Sequence, residues 1–127
     1  MVLKTSIKGI EIQLKTAESV FSPRSVDKGT LAMLSVLNLK DDDKVLDLGC
    51  GYGIVGIYVA KVIGAKNVVM SDIDETAVAL AKENAAINGA SQIKVVQGDA
   101  YECIEDNDFT VILSNPPYHA DFSVPKK

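Results

Sequence analysis

Residues 45–56 read VLDLGCGYGIVG. An apolar run from Lys44 to Leu48 passes into a glycine loop, Gly49 to Gly53, and then into Ile54–Val62, which is apolar enough for a buried helix. Strand, glycine loop, helix is the order to expect of a ligand-binding turn. Glycines let the backbone turn sharply and let a ligand come close, and the helix presents free N–H groups at its start. In an open parallel sheet such a loop lies at the carboxyl ends of the strands, where ligands bind.

The pattern repeats outward from this loop. Asn67–Ser71 is predicted as a second strand, Asp74 as the cap of an alanine-rich helix over Glu75–Asn88, and Gly89 as its left-handed stop. Ile93–Gln97 and Phe109–Leu113 are predicted as third and fourth strands. Strands alternating with helices imply an α/β fold, a parallel sheet with helices on both faces and right-handed crossovers. Upstream, Ile10, Ile12 and Leu14 alternate with polar residues, and Gly9 is placed to turn a hairpin with Leu3–Ile7. Ser22-Pro23 breaks the chain, and a helix that Asp27 caps, running to Asn38, places Leu31, Leu34 and Leu37 on one side. The expected organisation is one domain over 1–127, with an N-terminal hairpin over 1–22 and an α/β core over 23–127.

Composition narrows the class. With 127 residues, 47% hydrophobic and 24% charged, the chain can bury a core without staples. No apolar run approaches the ~18 residues of a membrane span, and the N-terminus lacks a signal-peptide core. Cys50 and Cys103 lie too far apart in sequence to read as a metal pair or disulfide framework, so a reducing, cytoplasmic setting is expected. His119 is the single histidine, and no metal site is expected. The net charge of −4 argues against broad non-specific nucleic-acid binding. Residues 1–28 carry five Lys/Arg against three acids, an excess too small to decide a partner.

Two ligands fit the loop. Gly51-x-Gly53-x-x-Gly56 satisfies the dinucleotide fingerprint, with Asp72 where a ribose-binding acid belongs, which permits NAD and an oxidoreductase. Asp47 at the end of the strand argues otherwise. It puts a carboxylate where a pyrophosphate would come close, and it suits a ligand carrying an ammonium or sulfonium charge.

The stretch resembles motif I of the class I S-adenosylmethionine-dependent methyltransferases, whose fold is Rossmann-like. That resemblance implies S-adenosylmethionine as cofactor. It matches Asp47, Gly49, Gly51 and Gly53 to the loop around the methionine part, and Asp72 to the acid that grips both ribose hydroxyls. It also puts Ile73 on the adenine, Asp99 on the adenine amino group, and the Ala100 backbone N–H on the ring. Asp74 reads as a helix cap.

The fourth strand runs into Ser114-Asn115-Pro116-Pro117-Tyr118. This resembles the N-P-P-Y signature of methyltransferases acting on amino nitrogens of adenine, cytosine, guanine or glutamine. A planar exocyclic amine is a poor nucleophile. The Asn115 side-chain oxygen and the Pro116 carbonyl are suited to accept its two hydrogens and hold it in line with the methyl group. Pro116 and Pro117 fix that carbonyl at little entropic cost, and Tyr118 offers a flat face to the target. Asn115, Pro116, Pro117 and Tyr118 are the expected catalytic residues. A proline-rich turn after a strand is the plain structural alternative.

Phe21-Ser-Pro, then Asp27-Lys-Gly-Thr30, looks like the small-domain methyltransferases that include the ribosomal RNA guanine-N2 enzymes. The resemblance makes Phe21 and Thr30, with Asp27 and Gly29, secondary cofactor candidates, and ribosomal RNA the expected substrate. Guanine-N2 members often carry phenylalanine after the prolines. Tyr118 therefore leaves adenine N6, cytosine N4 or glutamine open. The family sheet has seven strands, and only the first four are expected here, in a C-terminally truncated domain. The fourth then becomes an edge open to self-association. A non-catalytic half-domain that binds a cofactor or partner is the third reading.

Overall fold

The computed structural model describes residues 2–15, 28–98 and 109–114. They form β1 (Val2–Ile7), β2 (Ile10–Lys15), α1 (Lys28–Val36), β3 (Val45–Leu48), α2 (Ile54–Ile63), β4 (Val68–Asp72), α3 (Glu75–Ile87), β5 (Lys94–Gln97) and β6 (Val111–Ser114). A 3-10 turn over Ala65–Asn67 leads into β4 and delays its start by one residue from the predicted Asn67.

Strands β3 to β6 make a parallel sheet in the order β5-β4-β3-β6. The steps β3-α2-β4 and β4-α3-β5 advance in one direction, so right-handed crossovers put α2 and α3 on the same face, where they pack together. The chain then returns to the other side of β3 to add β6. The order therefore reverses beside β3, and the crevice at a parallel sheet's carboxyl edge opens at such a reversal.

Burial follows the strand period. Val45, Val68, Met70 and Leu113 join the core under α2 and α3. Their neighbours Leu46 and Val69 pair in register on the opposite face and are 0% and 3% exposed. Both faces of the central strands are thus covered, which is why these strands read as continuous apolar runs. Among the described strands β6 is an edge, paired only with β3. Thr110 fastens its start. The Thr110 hydroxyl donates to Asp43 at 2.9 Å, and its oxygen accepts the Lys44 N–H at 2.9 Å.

The hairpin forms as predicted. Lys8 and Gly9 both take positive φ, 51° and 83°, the two-residue turn whose twist suits antiparallel strands. Ile12 and Leu14 are fully buried, and β2 packs against α2 and α3. In α1, Leu34 is buried, and Leu37, just past its end, packs against the core; the predicted end at Asn38 contracts to Val36, and the predicted cap Asp27 lies outside the described residues. In α3 the Asp74 carboxylate accepts the Thr76 N–H at 2.9 Å, and Gly89 follows with φ 71°.

Candidate functional site

Asp47 is the third residue of β3 and points under the start of α2. It is 2% exposed. Its Oδ2 accepts the Gly56 N–H at 3.0 Å. Gly53 begins that helix and supplies no side-chain cap, so the Asp47 carboxylate serves as the cap instead. Burial pushes Asp47 up to about 7, the Gly56 hydrogen bond opposes this, and the charge of Asp72 adds to it. A side chain on Gly56 would force its neighbours to shift. A Cβ on it would stand 2.5 Å from Met70 Cγ and 3.3 Å from Asp47 Oδ2.

The loop between β3 and α2 takes left-handed conformations at Gly49, Gly51 and Gly53, with φ 67°, 55° and 98°. Among the described residues, a Cβ on Gly49 would meet nothing within 4 Å. The loop is braced from beneath. Cys50 N–H donates to the Ser71 carbonyl at 2.9 Å, and Gly53 N–H to the Cys50 carbonyl at 2.9 Å. Burial pushes the Cys50 thiol far above its usual range, with the Asp47 and Asp72 charges adding to it, so the sulfur is inert filling.

Asp72 ends β4 and sits half-buried beside the loop. Its Oδ2 accepts the Gly51 N–H at 3.0 Å and its Oδ1 the Asp74 N–H at 2.9 Å. Each oxygen keeps a further lone pair, so the carboxylate is held rigid and can still accept two O–H groups. Ile73 follows and is 69% exposed, an apolar surface next to a polar grip. Gly98 N–H donates to the Asp72 carbonyl at 3.0 Å, which brings the end of β5 to the same place. Ser114 pairs in register with Leu48, so β6 ends beside Gly49.

The structure therefore brings Asp47, Gly49, Gly51, Gly53, Asp72 and Ile73 together at one sheet edge. Thr30 belongs there as well. It is 2% exposed and lines a small pocket with Asp47, Gly49, Cys50, Tyr52, Ile54 and Val55. Phe21, Asp27, Asp99, Ala100, Asn115, Pro116, Pro117, Tyr118 and His119 lie outside the described residues. Among the described residues no group of His, Cys, Asp and Glu is arranged to hold a metal ion, and no helix is long and apolar enough to cross a membrane. Two residues of the site carried no signal in the sequence. Tyr52 is buried within the loop, and Asn84 on α3 donates to the Tyr52 carbonyl at 2.8 Å.

Comparison with known proteins agrees with this geometry. Residues 11–127 match the family described as the methyltransferase small domain. Ribosomal RNA small subunit methyltransferase C of Colwellia psychrerythraea is 32% identical over 114 residues, covering 90% of this chain and 31% of that protein. Release factor glutamine methyltransferase of Lactococcus lactis is 39% identical over 110 residues, covering 87% of this chain and 40% of that protein. Among solved structures, the T. thermophilus 16S rRNA N2 methyltransferase RsmC, in complex with AdoMet and guanosine, superposes with a TM-score of 0.74 at 27% identity. It is covered over 94% of this chain and 33% of its own. The chain thus spans 31% to 40% of the length of these relatives.

Proposed function

The chain belongs to the methyltransferase small-domain family, and from that premise we propose that it binds S-adenosylmethionine and serves methyl transfer to an exocyclic amino nitrogen of a nucleobase in RNA. The relatives named for ribosomal RNA favour ribosomal RNA as the substrate.

One observation carries the cofactor reading. The Asp47 carboxylate occupies the start of α2, on the Gly56 N–H. In a dinucleotide site that helix end receives the pyrophosphate. Here a carboxylate already occupies it, and an added anion would be repelled by Asp72 and, as it ionises, by Asp47. A ligand with an ammonium and a sulfonium charge is attracted by the same two carboxylates. The residues present fit such a ligand. Asp72 offers two acceptor oxygens for vicinal hydroxyls, Ile73 an apolar face for a flat ring, and Gly49 a backbone without a side chain for close approach.

The bound cofactor supplies an electrophilic methyl carbon on sulfonium. The chain's own residues have the remaining work. Asp47 and Asp72 orient the ligand through charge and hydrogen bonds, and the left-handed loop lets the backbone reach it. In this reading Asp99 and Ala100 hold the adenine, and Phe21 covers the pocket near Thr30. Asn115 and the Pro116 carbonyl accept the two amine hydrogens, Pro117 stiffens the turn, and Tyr118 stacks on the target base. The position of Ser114 beside Leu48 supports this, because Asn115 is the next residue.

Transfer of a labelled methyl group tests the reading. The chain is incubated with labelled S-adenosylmethionine and, separately, with unmethylated ribosomal RNA and with a release factor. Label in RNA, lost in Asn115→Ala with cofactor binding retained, is expected. Label in the release factor alone, or transfer that persists in Asn115→Ala, contradicts the substrate or the role of the motif.

A further inference from the structure

Asn84, on α3, is 0% exposed, and both the oxygen and the nitrogen of its side-chain amide are engaged. Oδ1 accepts the Lys15 N–H at 2.6 Å. Nδ2 donates to the Lys15 carbonyl at 2.9 Å and to the Tyr52 carbonyl at 2.8 Å. One turn on, Asn88 treats Gln13 the same way, accepting its N–H at 3.0 Å and donating to its carbonyl at 2.7 Å. The two amides imitate a neighbouring strand along the open edge of β2, and so dock the hairpin on α3. Asn84 alone reaches the glycine loop as well.

The bond to Tyr52 falls at a decisive place. The Tyr52–Gly53 peptide is planar, so its carbonyl and N–H turn together. Asn84 holds the carbonyl, and the Cys50 carbonyl holds the Gly53 N–H. Gly53 is the left-handed residue that starts α2. We propose that Asn84 is a positioning residue for the cofactor loop, pinning the Tyr52–Gly53 peptide plane and tying its orientation to the docking of the N-terminal hairpin. The consequence for cofactor affinity rests on the reading given under Proposed function; the consequence for the loop does not.

Asn88→Ala is the matched control, since it loosens the same hairpin without touching the loop. Backbone amide exchange is measured by NMR on the ligand-free chain, and S-adenosylhomocysteine binding by calorimetry, for wild type, Asn84→Ala and Asn88→Ala. Exchange is referred to each variant's own global stability. In Asn84→Ala the Gly53 amide should exchange at least tenfold faster and affinity should fall about tenfold. In Asn88→Ala both should stay within twofold of wild type. Unchanged Gly53 protection in Asn84→Ala, or equal loss in both variants, overturns the proposal and leaves Asn84 a packing residue. Should Asn84→Ala fail to fold, the wild type decides. Lys15 and Gly53 amides are expected to open together across a denaturant series, and independent opening overturns the coupling. A wild type that binds no S-adenosylhomocysteine contradicts the cofactor reading alone, because the exchange data stand without it.

Discussion

The ends of β3 and β4 lie side by side and each carries an aspartate, but the two carboxylates stand in opposite settings. Asp47 is sealed beneath α2, holds one helix N–H, and is driven toward neutrality by burial. Asp72 stands half-buried at the rim, with both oxygens steered by backbone N–H groups and an exposed isoleucine beside it. The first is built into the floor beneath α2, and in the proposed reading the second presents acceptors to a ligand. Residue type did not separate these roles. Position did, because Asp47 pairs with Met70 in register and Asp72 lies two residues further out, past the end of β3.

The largest effect that would break this contrast is a pH dependence. Asp47 rises from an ordinary 3.8 to about 7 in the folded chain, so its contribution to stability is complete below about pH 4 and lost as pH rises through 7. The stability difference between wild type and Asp47→Asn should shift by roughly 4 kcal/mol between pH 4 and pH 8 in favour of the variant. Denaturant melts at several pH values measure it, and a flat difference would mean Asp47 is not sealed. A cationic ligand should draw Asp47 back toward ionisation, so cofactor binding should release protons near neutral pH.

Next in size is Gly56→Ala. Its methyl group would press on Met70 and crowd Asp47, with a cost of about 3 kcal/mol by thermal denaturation. A variant as stable as wild type would show that α2 can lift off β4. Asp72→Ala should weaken S-adenosylhomocysteine about 100-fold, roughly 2.7 kcal/mol, with a much smaller change in stability. A variant that binds normally would strip the rim carboxylate of its role. Ile73→Ala is the smallest change. Stability should stay within about 0.5 kcal/mol, since the side chain is exposed, while affinity falls a few-fold. Calorimetric titration separates the two readouts.

Much of this was legible in the sequence, for local reasons. Alternating glycines after an apolar run located the loop, Asp74 and Gly89 bracketed α3, and the period-two hairpin found its turn at Lys8-Gly9. Strand ends shifted by a residue or two where neighbouring structure intervened. The 3-10 turn delays β4, and the Thr110 bonds to Asp43 and Lys44 precede β6, which starts at Val111 rather than at the predicted Phe109. Two things were not legible. Asn84 and Asn88 read as ordinary helix residues, because their partners Lys15 and Gln13 lie 69 and 75 positions away. That Asp47 would cap α2 through Gly56 depends on how the loop folds back, which no local pattern encodes. The glycines of the dinucleotide fingerprint fit both ligands; the aspartate ending the strand already weighed against a pyrophosphate, and the structure adds where its carboxylate goes.

Calorimetric titration of the chain with S-adenosylhomocysteine and with NAD decides which ligand the loop after β3 is built for. Binding at about 10 μM or tighter, near −7 kcal/mol, is expected for S-adenosylhomocysteine and none for NAD. Binding of NAD in preference would contradict the cofactor reading, because the start of α2 would then be accepting the anion that Asp47 is argued to exclude.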